Sequence, residues 1–168
     1  TRATTKTTTR VTTKTTTRAT TKATTRITTT ATTKNPVDSV IIGGVTYSTS
    51  LKSLDLSGLG LTDISAIKDM KALTYLKLDD NSISDISALS GLTNLKSLYI
   101  SNNNISDASA VKNLKSLTNL SLYNNNVSDI SPFMGLSSLY SLDLRENSVS
   151  DSDADKLGRA LPYTDVFA

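Results

Sequence analysis

Carboxylates are the residues of this chain whose spacing most invites chemistry: Asp151, Asp153 and Asp155 alternate, Asp79 and Asp80 adjoin, and Asp55 and Asp143 recur in like surroundings. Alternating acids suit a calcium loop, but a loop of the helix–loop–helix type also needs glycine at its sixth position and an acid at its twelfth. Lys156 and Pro162 stand there, so no metal is expected. Paired carboxylates would also serve glycoside hydrolysis. Asp55 and Asp143 fall four strands apart, on the order of 19 Å, which fits neither stereochemical class. Asp79 and Asp80 share a strand exit with no pocket implied, and read as solvated rim charges. Cysteine and histidine are both absent, which removes thiolate and imidazole chemistry, the usual zinc ligand sets and any disulfide framework. Neither catalysis nor a cofactor is expected.

The remaining candidates are tyrosines, and their meaning depends on the elements that carry them. Leu54, Leu76, Leu98, Leu120 and Leu142 are spaced 22 residues apart. Three residues before each stands another leucine (Leu51, Leu73, Leu95, Leu117, Leu139), and two after it Leu56, Leu78, Ile100, Leu122 or Leu144. Alternating leucines make a short strand buried on one face, and such a strand cannot bury that face alone. Copies must therefore stack as parallel strands around a continuous core. Five residues after each anchor come Asn81, Asn103, Asn125 and Asn147, with Leu59 in the first copy. These asparagines turn the chain out of the strand and are expected to bond the otherwise unpaired backbone of neighbouring coils. Leu59 needs no coil beneath it and suits a capping role. Asp63, Asp85, Asp107, Asp129 and Asp151 then precede a short apolar turn, whose exposed N–H groups a carboxylate can cap.

Written out, LTNLKSLYISNNNISDASAVKN resembles the 22-residue leucine-rich repeat of the bacterial internalin type, over about residues 51–161. Ala66, Ala88 and Ala110 stand where that pattern prefers Pro, found only at Pro132, and Ala108 and Ser152 replace an outer Ile. The resemblance implies an α/β solenoid, with short parallel strands on the concave face, in a secreted or wall-attached bacterial protein that binds other macromolecules. Residues 51–151 are read as five repeats. Residues 37–50, with Gly43-Gly44 between two β-rich runs, are expected to form a hairpin cap. Residues 152–168 should close the other end, with Asp153 and Asp155 in the first turn of a helix, Leu157 and Leu161 buried, Pro162 as a stop, and a terminal strand.

Outward strand residues then form columns across the concave face. Tyr75, Tyr99 and Tyr123 are 24 residues apart, one repeat plus two, and so lie on a diagonal with steps of roughly 8 Å. Tyrosine offers a large rigid area with a polar tip. With Lys77, Asp79, Asn119, Tyr140, Asp143 and Arg145 as polar and flanking partners, they form the expected ligand surface. The plain alternative is that tyrosine merely suits strands and Lys77 pairs with Asp55 across the ladder.

Residues 1–36 are a different material. Of the first 34, 20 are Thr and eight are Lys or Arg, giving +8 there against −5 for the rest. Like charges at every fourth position disfavour a helix, and nothing in the tract is large enough to bury. A disordered, extended linker is expected, reaching roughly 100 Å as polyproline II and open to O-glycosylation. Weak polyanion contact is its alternative use, although no aromatic interrupts it to stack on bases. The chain begins at Thr1 without a signal-peptide pattern, and is read as a processed piece of something longer. No stretch approaches the length of a membrane span. The expected partner of this monomer is a protein recognised by the concave face; the alternatives are a polysaccharide-binding accessory module, or a structural spacer with a polyanion-binding basic tail.

Overall fold

The computed structural model describes residues 38–168. The expected linker, residues 1–36, lies outside them.

β1 (Ser39–Ile42) and β2 (Val45–Ser48) pair antiparallel. Gly43 and Gly44 turn the chain between them with φ of 56° and 79°, the pair of positive values that a two-residue hairpin requires. From β2 the chain enters six coils whose strands are β3 (Ser53–Asp55), β4 (Tyr75–Lys77), β5 (Ser97–Tyr99), β6 (Asn119–Ser121), β7 (Ser141–Asp143) and β8 (Asp165–Phe167). They lie side by side in chain order in one parallel sheet. Leu54, Leu76, Leu98, Leu120 and Leu142 align across it. They point inward because a slip of one residue would turn every leucine out to water.

Behind the strands the coils return through short turns, among them 3-10 turns at Ser65–Asp69, Ser87–Leu89 and Ser109–Asn113. Asp63, Asp85, Asp107 and Asp129 each accept the N–H of the serine two residues on, at 2.7 to 2.8 Å. Those backbone bonds, more than any other effect, hold the carboxyls of Asp63, Asp85 and Asp107 below the ordinary value of 3.8. A depressed folded-state pKa contributes stability that is complete above the ordinary carboxylate range and lost as pH falls through the folded value. Acid unfolding should therefore steepen as pH drops below about 4. Replacing all three by Asn, which still accepts the serine N–H, should flatten that part of a melting-temperature profile.

In the sixth coil the return is α1 (Asp151–Ala160), capped by Ser150, whose hydroxyl accepts the Asp153 N–H at 3.2 Å. A helix takes more residues than a 3-10 turn, so β8 registers on β7 at an offset of 24 instead of 22. Leu157 and Leu161 are buried beneath it. At the opposite end Ile42 closes the core. Leu59, expected to suit a capping role, is 53% exposed, and its N–H donates to Asn81.

The residue before each ladder asparagine is left-handed: Asp80, Asn102, Asn124 and Glu146 have φ from 52° to 59°. Asp and Asn tolerate that region by bonding locally, and here Asn102 donates to Asp80 at 2.7 Å and Asn124 to Asn102 at 2.9 Å. Glu146 breaks the series. Glu146→Asn should stabilise the fold by about 0.5–1 kcal/mol, read as a raised urea midpoint.

Candidate functional site

The outward sheet residues form the columns that the period implies. One runs Ser53, Tyr75, Ser97, Asn119, Ser141 and Asp165, the other Asp55, Lys77, Tyr99, Ser121, Asp143 and Phe167. Tyr123 and Arg145 lie just beyond the ends of β6 and β7.

Two aromatic groups result. Tyr75 and Tyr99 meet with ring centroids 5.7 Å apart and planes tilted by 47°, nearer than the diagonal step of roughly 8 Å between their positions. Desolvation, chiefly, then Tyr99 and the nearby carboxylates raise the Tyr75 hydroxyl pKa, so it remains a donor. Tyr123 does not extend that contact. It lies under the Arg145 guanidinium, which stands 5.7 Å from its ring and 5.4 Å from that of Phe167.

Arg145 is fixed a third way. Its Nε donates to Asp143 Oδ1 at 3.0 Å and one terminal nitrogen to Oδ2 at 2.7 Å, a bidentate pair. Burial would raise the Asp143 pKa, but the side-chain and backbone hydrogen bonds from Arg145 outweigh it and keep the carboxylate charged. Lys77 pairs along its own strand with Asp79 at 3.5 Å. Asp55, the expected cross-ladder partner, instead accepts both the N–H and the hydroxyl of Ser57, at 3.0 and 2.7 Å. Asp79 also accepts the Ser101 N–H at 2.7 Å, which ties it to the neighbouring coil. Between the aromatic groups the floor is small and polar: Asn119 donates to the Thr118 hydroxyl at 3.0 Å, and Ser101 and Ser121 share a hydroxyl bond of 2.9 Å.

The sheet thus brings Tyr75, Lys77, Asp79 and Tyr99 into one group and Tyr123, Asp143 and Arg145 into another, with Asn119 between them. Tyr140 stands apart at the entry to β7, 67% exposed, its N–H donated to Thr118. Phe167 and Asp165 escape the sequence pattern because they follow a helix that breaks the 22-residue phase; a 24-residue offset from Asp143 would find Phe167.

Beneath this face the asparagines do the same work in every coil. Asn103 accepts the Ile83 N–H at 3.0 Å and donates to the carbonyls of Leu78, Ile100 and Ser101. Asn125 repeats this with Ile105, Ile100, Leu122 and Tyr123. Asn81 and Asn147 bridge the end coils likewise. The leucine-rich-repeat description matches residues 49–105, and its two-copy form residues 93–133 and 115–156. Internalin C2 from Listeria monocytogenes superposes with a TM-score of 0.62 at 35% identity, over 75% of this chain and 52% of that one.

The chain belongs to the leucine-rich-repeat family, in its internalin-type form.

A plant peptide-hormone receptor, solved in complex with its hormone, is similar at 30% identity and a TM-score of 0.54, over 60% of this chain and 18% of the receptor. A leucine-rich-repeat protein from Leptospira interrogans shares the fold at 23% identity and a TM-score of 0.57, over 70% of this chain and 37% of that one. This leucine-rich-repeat chain therefore spans about half of internalin C2 and a smaller part of the other two. No curated protein matches it by sequence. Proteins of this fold serve typically as non-catalytic binding modules, which accords with a face of tyrosines, serines and pre-paired charges. Among the described residues no helix is long and apolar enough to cross a membrane.

Proposed function

We propose that this repeat body is a non-catalytic recognition module of a secreted or cell-surface bacterial protein, and that its concave sheet face holds a protein partner. The observation that carries this reading is the pair of aromatic groups on an otherwise small and polar sheet, the Tyr75–Tyr99 contact and the Arg145 stack on Tyr123 and Phe167. Aromatic and arginine side chains already ordered before binding are what interface hot spots are built from, because little entropy remains to be lost. Similarity to internalin C2 supports the extracellular setting.

A glycan is the second reading, since the same tyrosines can face a sugar ring. What favours protein is the Arg145 stack on Tyr123 and Phe167 beside the Tyr75–Tyr99 contact, since ordered arginine and aromatic side chains are typical anchors of protein interfaces. The basic Thr tract serves in this reading as a tether, with polyanion contact as a salt-sensitive extra.

Cosedimentation of the full chain with intact host cells at high salt tests the proposal. Retention should vanish after protease treatment of the cells, and fall about tenfold or more in Tyr75→Ala with Tyr99→Ala, with the melting temperature nearly unchanged because both side chains are partly exposed. Retention that survives protease but not glycosidase would establish the glycan reading. Retention indifferent to the double substitution would sink the concave-face assignment.

A further inference from the structure

The concave face carries four carboxylates, Asp55, Asp79, Asp143 and Asp165, against two cations, Lys77 and Arg145. Both cations are already paired on the face itself, with Asp79 and Asp143. The surplus is therefore negative. The strand-exit rim beside it adds Asp80 and Glu146, both exposed. Lysines outside the sheet gather on the opposite flank: Lys52 and Lys96 immediately precede strands, and Lys71 and Lys115 reach the Gly91 and Gly135 carbonyls of the next coil's return. Acids thus outnumber cations on the face and its strand-exit rim, while lysines stand on the strand-entry side.

The face also displays what it accepts. At its C-terminal end one guanidinium lies against two aromatic rings and is clasped by a carboxylate, Arg145 among Tyr123, Phe167 and Asp143. At its N-terminal end the same kinds of group recur. Tyr75 and Tyr99 form a tilted notch, and Asp55, opposite Lys77 in register, stands beside it with a second carboxylate oxygen to which none of its Ser57 bonds runs. Lys77 stands in register between Asp55 and Tyr99; it pairs with Asp79 at 3.5 Å and also feels the Asp55 charge, so an incoming guanidinium would share this end with it.

Resting on the concave-face reading above, we propose that the Tyr75–Tyr99 notch with Asp55 is a subsite for an arginine side chain presented by a basic segment of the protein partner. Guanidinium is favoured over ammonium there because its plane can lie on a ring while its fork meets a carboxylate.

A random-peptide library displayed on phage, selected on the full chain and screened on Tyr75→Ser/Tyr99→Ser and on Asp55→Asn, tests this directly. Asn at 55 still accepts the Ser57 N–H, and thermal melts of each variant verify folding. The expected result is a set of arginine-containing basic peptides that bind about tenfold more weakly to Asp55→Asn, lose binding to the tyrosine variant, and are not rescued by Arg-to-Lys exchange in the peptide. Acidic or neutral peptides that depend on the tyrosines would overturn the arginine subsite while leaving the concave-face reading standing. Basic peptides indifferent to all three positions would overturn both.

Discussion

Asn125→Ala should lower the unfolding free energy by about 2–3 kcal/mol, and the melting temperature by about 8–12 °C for a body of this size. The residue is only 8% exposed, and its amide makes four backbone bonds, accepting from Ile105 at 3.0 Å and donating to Ile100, Leu122 and Tyr123 at 3.0, 3.0 and 3.3 Å. Alanine leaves the Ile105 N–H without an acceptor, which costs about 1–3 kcal/mol for a buried donor, and it halves the amide donors on two carbonyls, since Ile100 keeps only Asn103 at 3.2 Å and Leu122 only Asn147 at 2.8 Å. Asn103→Ala should behave alike, while Asn81→Ala and Asn147→Ala, only half-buried at the end coils, should cost roughly half as much. Asn125→Asp separates shape from bonding. It keeps the acceptor for Ile105 but sets an anionic oxygen against three carbonyl oxygens, so at neutral pH it should be no better than alanine. Equal losses at all four asparagines, seen by circular dichroism, would show that the ladder is not what holds the coils.

That ladder is legible in the amino-acid sequence, and its legibility has a physical cause. An asparagine recurring every 22 residues after a buried strand has only one environment available, the turn between coils, so repetition itself fixes its partners. The strand columns follow for the same reason, as do Leu157 and Leu161, whose apolar character inside a polar helix leaves them no other face. What the sequence hides depends on side-chain choice within a fixed register. Lys77 sits opposite Asp55 yet makes its ion pair with Asp79 further along its own coil, while Ser57 takes one Asp55 oxygen through both its N–H and its hydroxyl. Tyr123 leaves the tyrosine diagonal because Arg145, clasped by Asp143, lies over its ring. Neither outcome is encoded in spacing. Phe167 is hidden for a different reason: α1 replaces a 3-10 turn and shifts the phase by two residues, which a strict period cannot anticipate.

The same shift makes Phe133→Ala the most damaging core truncation expected here, at about 4 kcal/mol. Ile67, Leu89, Val111 and Phe133 hold one position through four coils, all fully buried. Adding the 24-residue offset of the last coil leads to Leu157 on α1, so Phe133 is the last residue of this buried column before the helical coil. Its ring follows Val111, a smaller residue in the same buried column. Truncation to Ala opens a cavity at that joint which the rigid coils on either side cannot close. Phe133→Leu should cost only about 1–1.5 kcal/mol, since Leu89 fills the same position two coils earlier. Urea unfolding monitored by circular dichroism distinguishes the cases, with the midpoint falling far for Ala and slightly for Leu. The loss should also reach the binding face. α1 leads directly into β8, and β8 supplies Phe167 to the Arg145 stack, so loosening the joint removes one of the two rings that hold Arg145. Phe133→Ala should therefore weaken any ligand that depends on Tyr123 and Arg145 more than one that depends on Tyr75 and Tyr99. Equal weakening at both ends would mean that the sheet responds as one body, and that the joint at Phe133 is not where the last coil is held.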